Sequence, residues 1–373
     1  MNEEGILTLQ LTTPRDGQAG AQARNEDGQP IPAFYTNVEA EYTAVRGGTA
    51  AGVLDLSSRG RIGLEGAEVV QFLNGMITND VKALPVGAWM LAAFPNVQGR
   101  LIAFARVLRL GEAEFFLDTE AATRAPVLAA LERFTLAGDF RVRDVTEETA
   151  HLSLQGAGAK KIVSTILSEE AAQVEREKVF AAEWQGAKLT VIRATHTGEN
   201  GFDVFVNSVQ ASSLQQAFVD AGGVRVGSDA QETLRIEAGI PRHTADMDET
   251  NVVLETNLDE AVSYTKGCYI GQEIIARIHW RGHVARRLAG LSFDDANVQV
   301  AVGDKLQTVD GKDAGRVTST TFSPVSNRFI ALAYVRYAYL ELNTELKVQT
   351  ANGEQTARVT PLPFVRGSWY EQN

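Results

Sequence analysis

The chain has 373 residues, more than one hydrophobic core usually accommodates, so two or three packed units are expected. Hydrophobic residues make up 44% of it and charged residues 22%, which excludes a disordered or fibrous protein. The formal net charge of -12 argues against nucleic acid or an anionic membrane as the main partner, because phosphate binding requires a positive surface.

The single cysteine and the N-terminal segment indicate where the protein resides. Cys268 has no second cysteine to pair with, which fits a reducing compartment. The segment from Met1 to Asn37 has neither the basic region nor the apolar region of a secretory signal. Apolar runs such as 330–335 are too short to span a bilayer. We therefore expect a cytoplasmic protein without a membrane partner.

The first half of the chain alternates helical and extended patterns. Residues 1–33 are rich in Gly, Gln, Asp and Pro over much of their length and show no periodicity, which is typical of a mobile segment. Hydrophobic periodicity then predicts, in chain order, a helix at 38–42, strands at 52–57 and 61–64, a helix at 65–73, a hairpin of strands 90–94 and 101–110, and a long helix at 120–136.

The second half begins with a strand, a glycine turn and a helix over 151–167. This stretch lacks the third glycine of a dinucleotide site, so a plain strand-to-helix turn is favoured. Strands at 188–194 and 202–206 and helices at 212–221 and 229–237 follow. From about residue 286, short alternating segments with Asp-Gly and Asn-Gly turns predict a small barrel or sandwich.

The sharpest local feature is a run of eight residues, Lys266-Gly267-Cys268-Tyr269-Ile270-Gly271-Gln272-Glu273. Its two glycines permit a tight, exposed turn around the thiol. Lys266, two residues before Cys268, would favour the thiolate. By chemistry alone, a lone cysteine is more often a small buried hydrophobe than a reactive group.

This run resembles the signature of the YgfZ family. These folate-binding proteins are implicated in assembly or repair of iron–sulfur enzymes and are built like the aminomethyltransferase of glycine cleavage. Further stretches are similar to that superfamily, and the likeness covers about residues 38–365, with its blocks at 38–57, 72–81, 197–203, 234–248 and 303–336.

The resemblance implies an α+β, aminomethyltransferase-like folate-binding fold, with intertwined subdomains around a central cavity and a C-terminal β-barrel. It divides the chain into a mobile segment 1–33, a folate-binding domain 34–285, and a barrel domain with its tail, 286–373. Tetrahydrofolate is the implied cofactor, and iron–sulfur proteins or their assembly factors are the implied partners. Cys268 and Lys266 are the implied catalytic pair, and the other motif residues are Gly267, Tyr269, Gly271, Gln272 and Glu273.

A folate site follows from the same likeness. The pterin ring presents a ring N–H beside an amino group, a pair of donors that one carboxylate accepts. The resemblance assigns this role to Glu199 and adds His196 and Asn79 as cofactor-binding residues, although transferase relatives carry tyrosine at the position of His196. The terminal carboxylate of folate suits a guanidinium, and Arg235 is the candidate. An ion pair within the protein, for example with Glu237, is an equal alternative for Arg235.

One departure from the superfamily concerns its catalytic acid. Aminomethyltransferases carry two adjacent aspartates on the strand after a glycine turn, whereas alignment from Gly99 places Ala103 and Phe104 there. Neither side chain holds a proton, and Arg106 nearby is no acid at neutral pH. We therefore favour an accessory factor over glycine cleavage. A folate-dependent aminomethyl or methyl transferase or demethylase, and a folate-binding module without chemistry, remain as alternatives.

The segment 277–287 is a basic island in an acidic chain. Its histidines, His279 and His283, are four residues apart, but no third ligand is apparent, so we expect no metal site. The island would form either a basic rim for anionic folate or an anionic partner, or an interdomain linker whose charges pair with the acidic body.

Overall fold

A computed structural model describes residues 22–24, 30–133, 138–295 and 298–371. Its helices are α1 Val38–Arg46, α2 Val69–Met76, α3 Arg124–Glu132, α4 Ala159–Ile166, α5 Glu169–Ala172, α6 Ala211–Asp220, α7 Ser228–Glu237 and α8 Gln272–Arg281. Its strands are β1 Gln22–Arg24, β2 Pro30–Pro32, β3 Ala51–Asp55, β4 Gly60–Glu65, β5 Ala88–Pro95, β6 Leu101–Gly111, β7 Glu114–Thr119, β8 Arg141–Asp144, β9 Thr149–Gln155, β10 Val179–Trp184, β11 Ala187–Arg193, β12 Gly201–Asn207, β13 Gly223–Arg225, β14 Arg286–Phe293, β15 Lys305–Gln307, β16 Asp313–Ser323, β17 Arg328–Arg336, β18 Glu345–Thr350 and β19 Gly353–Thr360.

The first of two N-terminal sheets has five antiparallel strands in the order β5-β6-β7-β4-β8. Helices α2 and α3 bury apolar side chains, such as Leu73 and Leu131, in the core beside this sheet. In the register between β6 and β7, Arg106 lies opposite Asp118. Because directly paired residues share a face of the sheet, these two charges lie on the same side.

The second sheet has six strands in the order β10-β11-β12-β9-β3-β13, and β13 runs parallel to β3. Helices α4 and α6 cover its apolar side. The two sheets meet where Leu108 of β6 packs with Ile192 and Phe205, buried residues of β11 and β12. Strands β6 and β7 therefore face β9 and β12, and this junction holds the charged cluster described below.

The C-terminal unit is a closed six-stranded barrel in the order β14-β17-β16-β15-β18-β19, so the barrel and not the sandwich is correct. Strand β16 changes register between Val317 and Ser319. At that point the hydroxyls of Thr318 and Ser319 both donate to Asp246 of the N-terminal unit, at 2.5 and 2.7 Å. The tail after β19 returns to the N-terminal unit, where the Val365 N–H bonds the Glu237 carbonyl oxygen at 3.1 Å.

Three local expectations differ from the structure. The helix predicted at 65–73 begins only at Val69, because Glu65 still belongs to β4 and the turn at Gly66, with φ of 137°, separates the two elements. The helix predicted at 120–136 is a short 3-10 turn followed by α3, and residues 134–137 lie outside the described part. Within segment 1–33, β1 and β2 pair antiparallel, and residues 1–21 and 25–29 lie outside the described part.

Among the described residues, the helices are all too short or too polar to cross a membrane.

Candidate functional site

Glu199 lies in the turn between β11 and β12 and is only 9% exposed. Its Oε1 accepts a hydrogen bond of 2.5 Å from Arg46 at the end of α1. Its Oε2 accepts two from Ser368 of the C-terminal tail, from the backbone N–H at 2.8 Å and from the hydroxyl at 2.6 Å. The residue is thus a buried carboxylate between three segments, and not a surface glutamate.

The other partner of Arg46 is Glu237 at the end of α7. The two groups lie 3.1 Å apart, and the Tyr42 hydroxyl donates to the same carboxylate. Ser323 of the barrel donates to Glu237 as well, at 2.6 Å. This chain of charges fixes Glu199 relative to α1, α7 and the barrel.

Arg235 is buried, and groups of the protein surround its guanidinium. It donates to Glu232 and Asp246 and to the hydroxyl of Ser319, the last at 2.6 Å. The suggested ion pair with Glu237 is wrong, because Glu237 pairs with Arg46 instead. A folate carboxylate would have to displace one of these partners, so the role of Arg235 in folate binding stays a prediction.

A buried cluster of titratable side chains joins the two N-terminal sheets. Asp203 on β12 accepts a hydrogen bond from Arg106 of β6. The same carboxylate lies 3.0 Å from the Nε2 atoms of both His151 and His196. Of these residues the sequence predicted only His196 as a site residue, and it placed Arg106 near Ala103 and Phe104 instead. The missed signal is a pair of ionisable residues, His151 and Asp203, inside two strands that are buried along most of their length.

Asp118 on β7 extends the cluster. It accepts two hydrogen bonds from Arg59, at 2.9 and 2.8 Å, and lies 3.5 Å from the Nδ1 of His151. Burial favours the protonated carboxyl, but Arg59 and Arg106 outweigh it and hold the pKa of Asp118 well below its ordinary value. Two arginines therefore neutralise two buried carboxylates, and the histidines lie between them.

His196 is the part of the cluster that reaches the surface, with 17% of its side chain exposed. Burial and the charge of Arg106 together lower its pKa to about 4, despite the opposing charge of Asp203. The imidazole is therefore neutral near pH 7. At a pKa of about 4 this imidazole is a weak base, and it accepts a proton from a bound molecule less readily than an ordinary histidine does.

The cluster has the spacing of a metal site, but a guanidinium already supplies its positive charge. Among the described residues, His151, His196 and Asp203 present ligand atoms within 4.8 Å of one another. Arg106 donates to Asp203 and lies 3.1 Å from the Nε2 of His196. A divalent cation there would face this arginine, so we interpret the group as an ion-pair network.

His279 and His283 lie in separate surroundings. His279 is in α8 and stacks on Tyr264 with ring centroids 3.6 Å apart. His283 follows the helix and stacks on Tyr337 at 3.8 Å. His279 also lies edge-on to Trp280 at 4.7 Å, and these aromatic contacts account for both histidine side chains.

Strand β6 carries no carboxylate at Ala103 and Phe104, the positions to which the sequence resemblance assigns the superfamily's acid. Ala103 is completely buried in the core of the five-stranded sheet. Phe104 is half-buried and packs against a separate apolar cluster. Arg106, two residues further on the same face, points to Asp203. Proton-transfer groups near this strand are therefore those of the charged cluster.

Cys268 is an exposed free thiol at the centre of its turn. The turn is held from both sides: the Ile270 N–H bonds the Gly75 carbonyl oxygen at 3.0 Å, and Gly271 lies against the Asn96 carbonyl oxygen. Gly271 has φ of 78°, and a Cβ there would lie 2.4 Å from that oxygen, so only glycine fits. The thiol thus sits on a fixed turn beside the β5–β6 connection.

Lys266 and Asn79 hold the backbone around this turn. The buried ammonium of Lys266 donates to the carbonyl oxygens of Asn74, Ile77 and Asn79, at 2.8, 2.9 and 2.6 Å. The sequence predicted that the charge of Lys266 would stabilise the thiolate of Cys268. In the structure, that charge instead binds carbonyl oxygens at and just after the end of α2. The side-chain amide of Asn79 donates to the Leu91 and Glu260 carbonyl oxygens.

The remaining motif residues and the basic island surround α8. Tyr269 is buried, Gln272 begins the helix, and Glu273 is exposed and pairs with Arg277 at 2.9 Å. Arg286 and Arg287 pair with acidic residues of the N-terminal unit. These pairs agree with the linker interpretation of the island.

Comparison with known proteins identifies the family to which this architecture belongs. Residues 13–266 match the GCVT N-terminal domain, and residues 286–366 match the glycine cleavage T-protein C-terminal barrel domain. The chain belongs to the glycine cleavage T-protein family. The α+β fold with a C-terminal barrel that the sequence predicted is thereby confirmed.

Curated relatives and a solved structure agree over nearly the full length. An aminomethyltransferase of Rubrobacter xylanophilus is 33% identical over 353 residues, 93% of this chain and 91% of the relative. An aminomethyltransferase of Thermus thermophilus is 32% identical and covers 93% of this chain and 95% of its own. The crystal structure of glycine cleavage system aminomethyltransferase T from Bartonella henselae aligns with a TM-score of 0.84 and 25% identity, over 93% of this chain and 95% of that one.

Proposed function

We propose that this member of the family binds tetrahydrofolate and acts as a YgfZ-type accessory factor for iron–sulfur proteins, with Cys268 as its functional thiol. The observation that carries the proposal is the exposed thiol on a glycine-fixed turn, beside a strand that lacks both carboxylates of the transferase reaction. A protein that kept the fold and lost the acid retains ligand binding without the glycine cleavage step.

The folate part of the proposal is supported by Glu199. Its carboxylate is buried in the family's glycine turn and is held in place by Arg46. A buried carboxylate with fixed orientation is suited to the paired N–H donors of a pterin. His196 lies three residues earlier in the same loop. It is half-buried, and its ring is neutral near pH 7.

Thermal unfolding with and without millimolar tetrahydrofolate tests ligand binding. A ligand specific for the native state raises the melting temperature, and Glu199→Ala should remove most of the rise. Glu273→Ala, at an exposed glutamate outside the turn, is the matched control and should keep it. No rise in the wild-type protein would refute the folate part.

Complementation tests the role of the thiol. Cys268→Ser should fold and bind folate like wild type, because an exposed side chain contributes little to the core. It should nevertheless fail to restore iron–sulfur enzyme activity in cells that lack their own factor. Rescue by the serine variant at equal protein level would show that the thiol has no function, and the proposal would reduce to folate binding.

A second candidate is a folate-dependent aminomethyl or methyl transferase or demethylase. Its support is the Arg106–Asp203–His196 cluster, which supplies a proton acceptor near the strand that lacks the acid. The relatives named aminomethyltransferase add to it. Methylenetetrahydrofolate formation from an aminomethyl-loaded carrier protein is the assay. Turnover within about tenfold of a true transferase, lost in His196→Gln, would favour this candidate.

A further inference from the structure

Residues 367–370 of the C-terminal tail, here named the tail turn, cover Glu199. The backbone N–H and the hydroxyl of Ser368 both donate to Oε2 of that carboxylate, and the Trp369 N–H bonds the Gly198 carbonyl oxygen at 3.1 Å. Gly367 lies so close that a Cβ on it would be 2.4 Å from Oε1. The tail turn is therefore in direct contact with both carboxylate oxygens.

The contacts leave too few acceptor positions for a pterin. A carboxylate has about two lone pairs on each oxygen. Ser368 takes both positions on Oε2, and Arg46 takes one of the two on Oε1. A ring N–H beside an amino group needs one position on each oxygen, so it cannot pair with Glu199 while Ser368 stays in place.

We infer that the tail turn is a built-in occupant of the Glu199 site, and that a ligand with adjacent N–H and amino donors binds only by displacing it. The inference rests on the proposed folate function, since the ligand class is that of the pterin. Ser368 presents two donors side by side, as such a ring does. Release of residues 367–370 is then part of each binding event.

A small number of hydrogen bonds and ring contacts hold the tail turn in place, so a ligand is able to displace it. Asn200 bonds Ser368 twice, through its N–H at 2.9 Å and its amide at 3.1 Å. The guanidinium of Arg176 lies 4.1 Å from the Trp369 ring. Ser368 and Trp369 are only half-buried.

Amide hydrogen exchange of the full chain, with and without saturating tetrahydrofolate, tests the inference directly. The amides of Ser368 and Trp369 should exchange at least about tenfold faster when ligand is bound, because both of their acceptors are lost. Ser368→Ala, which frees one position on Oε2, should bind tetrahydrofolate about tenfold more tightly, the equivalent of one hydrogen bond to a charged group. Glu371→Ala, at an exposed residue that does not contact Glu199, is the matched control and should bind like wild type.

The outcomes separate this inference from the proposed function. Binding with unchanged or slower exchange at 368–369, or weaker binding by Ser368→Ala, overturns the tail turn as an occupant and leaves folate binding intact. Binding by Ser368→Ala but not by wild type supports it. Absence of binding in both proteins refutes the folate function, and the inference falls with it.

Discussion

The charged cluster makes the stability of the protein depend on pH through His196, and the substitution His196→Gln tests this dependence. Burial lowers the pKa of His196 from its ordinary 6.5 to about 4 in the folded protein. Between those values the unfolded chain binds a proton that the folded chain refuses, so acidification favours unfolding. The stabilising effect of the neutral ring is present above about pH 6.5 and is lost as the pH falls towards 4.

The size of the effect follows from the shift. Integrating the proton linkage for these two pKa values gives a loss of about 2.5 kcal/mol in the free energy of unfolding between about pH 7 and pH 4.5. The two buried aspartates contribute little in this range, because their folded pKa values lie below their ordinary ones. At about 2 °C per kcal/mol for a long chain, the loss corresponds to a fall of about 5 °C in the melting temperature.

Circular dichroism melts of wild type and His196→Gln at both pH values measure the difference. Glutamine cannot take up a proton, so the variant should lose about 5 °C less than wild type on acidification. His279→Gln, at an exposed histidine of α8, should behave like wild type and controls for a general effect of the substitution. Equal acid sensitivity of wild type and His196→Gln would refute the reasoning.

Three further predictions concern the packing around the site, and thermal unfolding tests each of them. Asp203→Asn should lower the free energy of unfolding by about 2–3 kcal/mol, because it removes the carboxylate that Arg106 hydrogen-bonds and leaves that arginine only Asp118, 3.6 Å away. Replacing both Arg106 and Asp203 by leucine should cost less, and a single variant that costs less than the double one would contradict this. Gly271→Ala should lower the free energy of unfolding by about 2 kcal/mol or more, because residue 271 has a φ of 78° and its Cβ would contact a carbonyl oxygen. Gly267→Ala is the control: a Cβ there meets no atom within 4 Å, so the free energy of unfolding should change by no more than about 0.5 kcal/mol. Lys266→Met should cost about 2–3 kcal/mol, since three carbonyl oxygens lose one donor, and an unchanged melt would disprove that role.

Much of the fold was predictable because local patterns determine it. Alternating residues and Asp-Gly and Asn-Gly turns mark the barrel strands, and β16 and β17 lie where that pattern placed them. Boundaries were less predictable, since the helix signal at 65–73 overlaps residues that pair as strand β4. There, tertiary pairing outweighs the local helical period.

The site was predictable only in part. Two glycines around Cys268 indicated an exposed turn, and the structure has one. The partners of Lys266 were not predictable, because the three carbonyl oxygens lie almost 190 residues earlier and are backbone atoms, which no residue type announces. The same holds for Asp118, which comes near His151 only after two separate sheets have packed together, whereas His151 and Asp203 come from neighbouring strands of one sheet.

The register change in β16 limits how the gene can vary. In a regular strand, consecutive side chains point to opposite faces, so Thr318 and Ser319 could not both reach Asp246. The extra residue lets both hydroxyls meet one carboxylate that also receives Arg235. Loss of a single codon there would leave the barrel able to close but would remove one of the two hydroxyl contacts to Asp246, while other contacts such as that of Ser323 with Glu237 would remain. Insertions and deletions should therefore be tolerated in the barrel's hairpin tips and selected against at this one position.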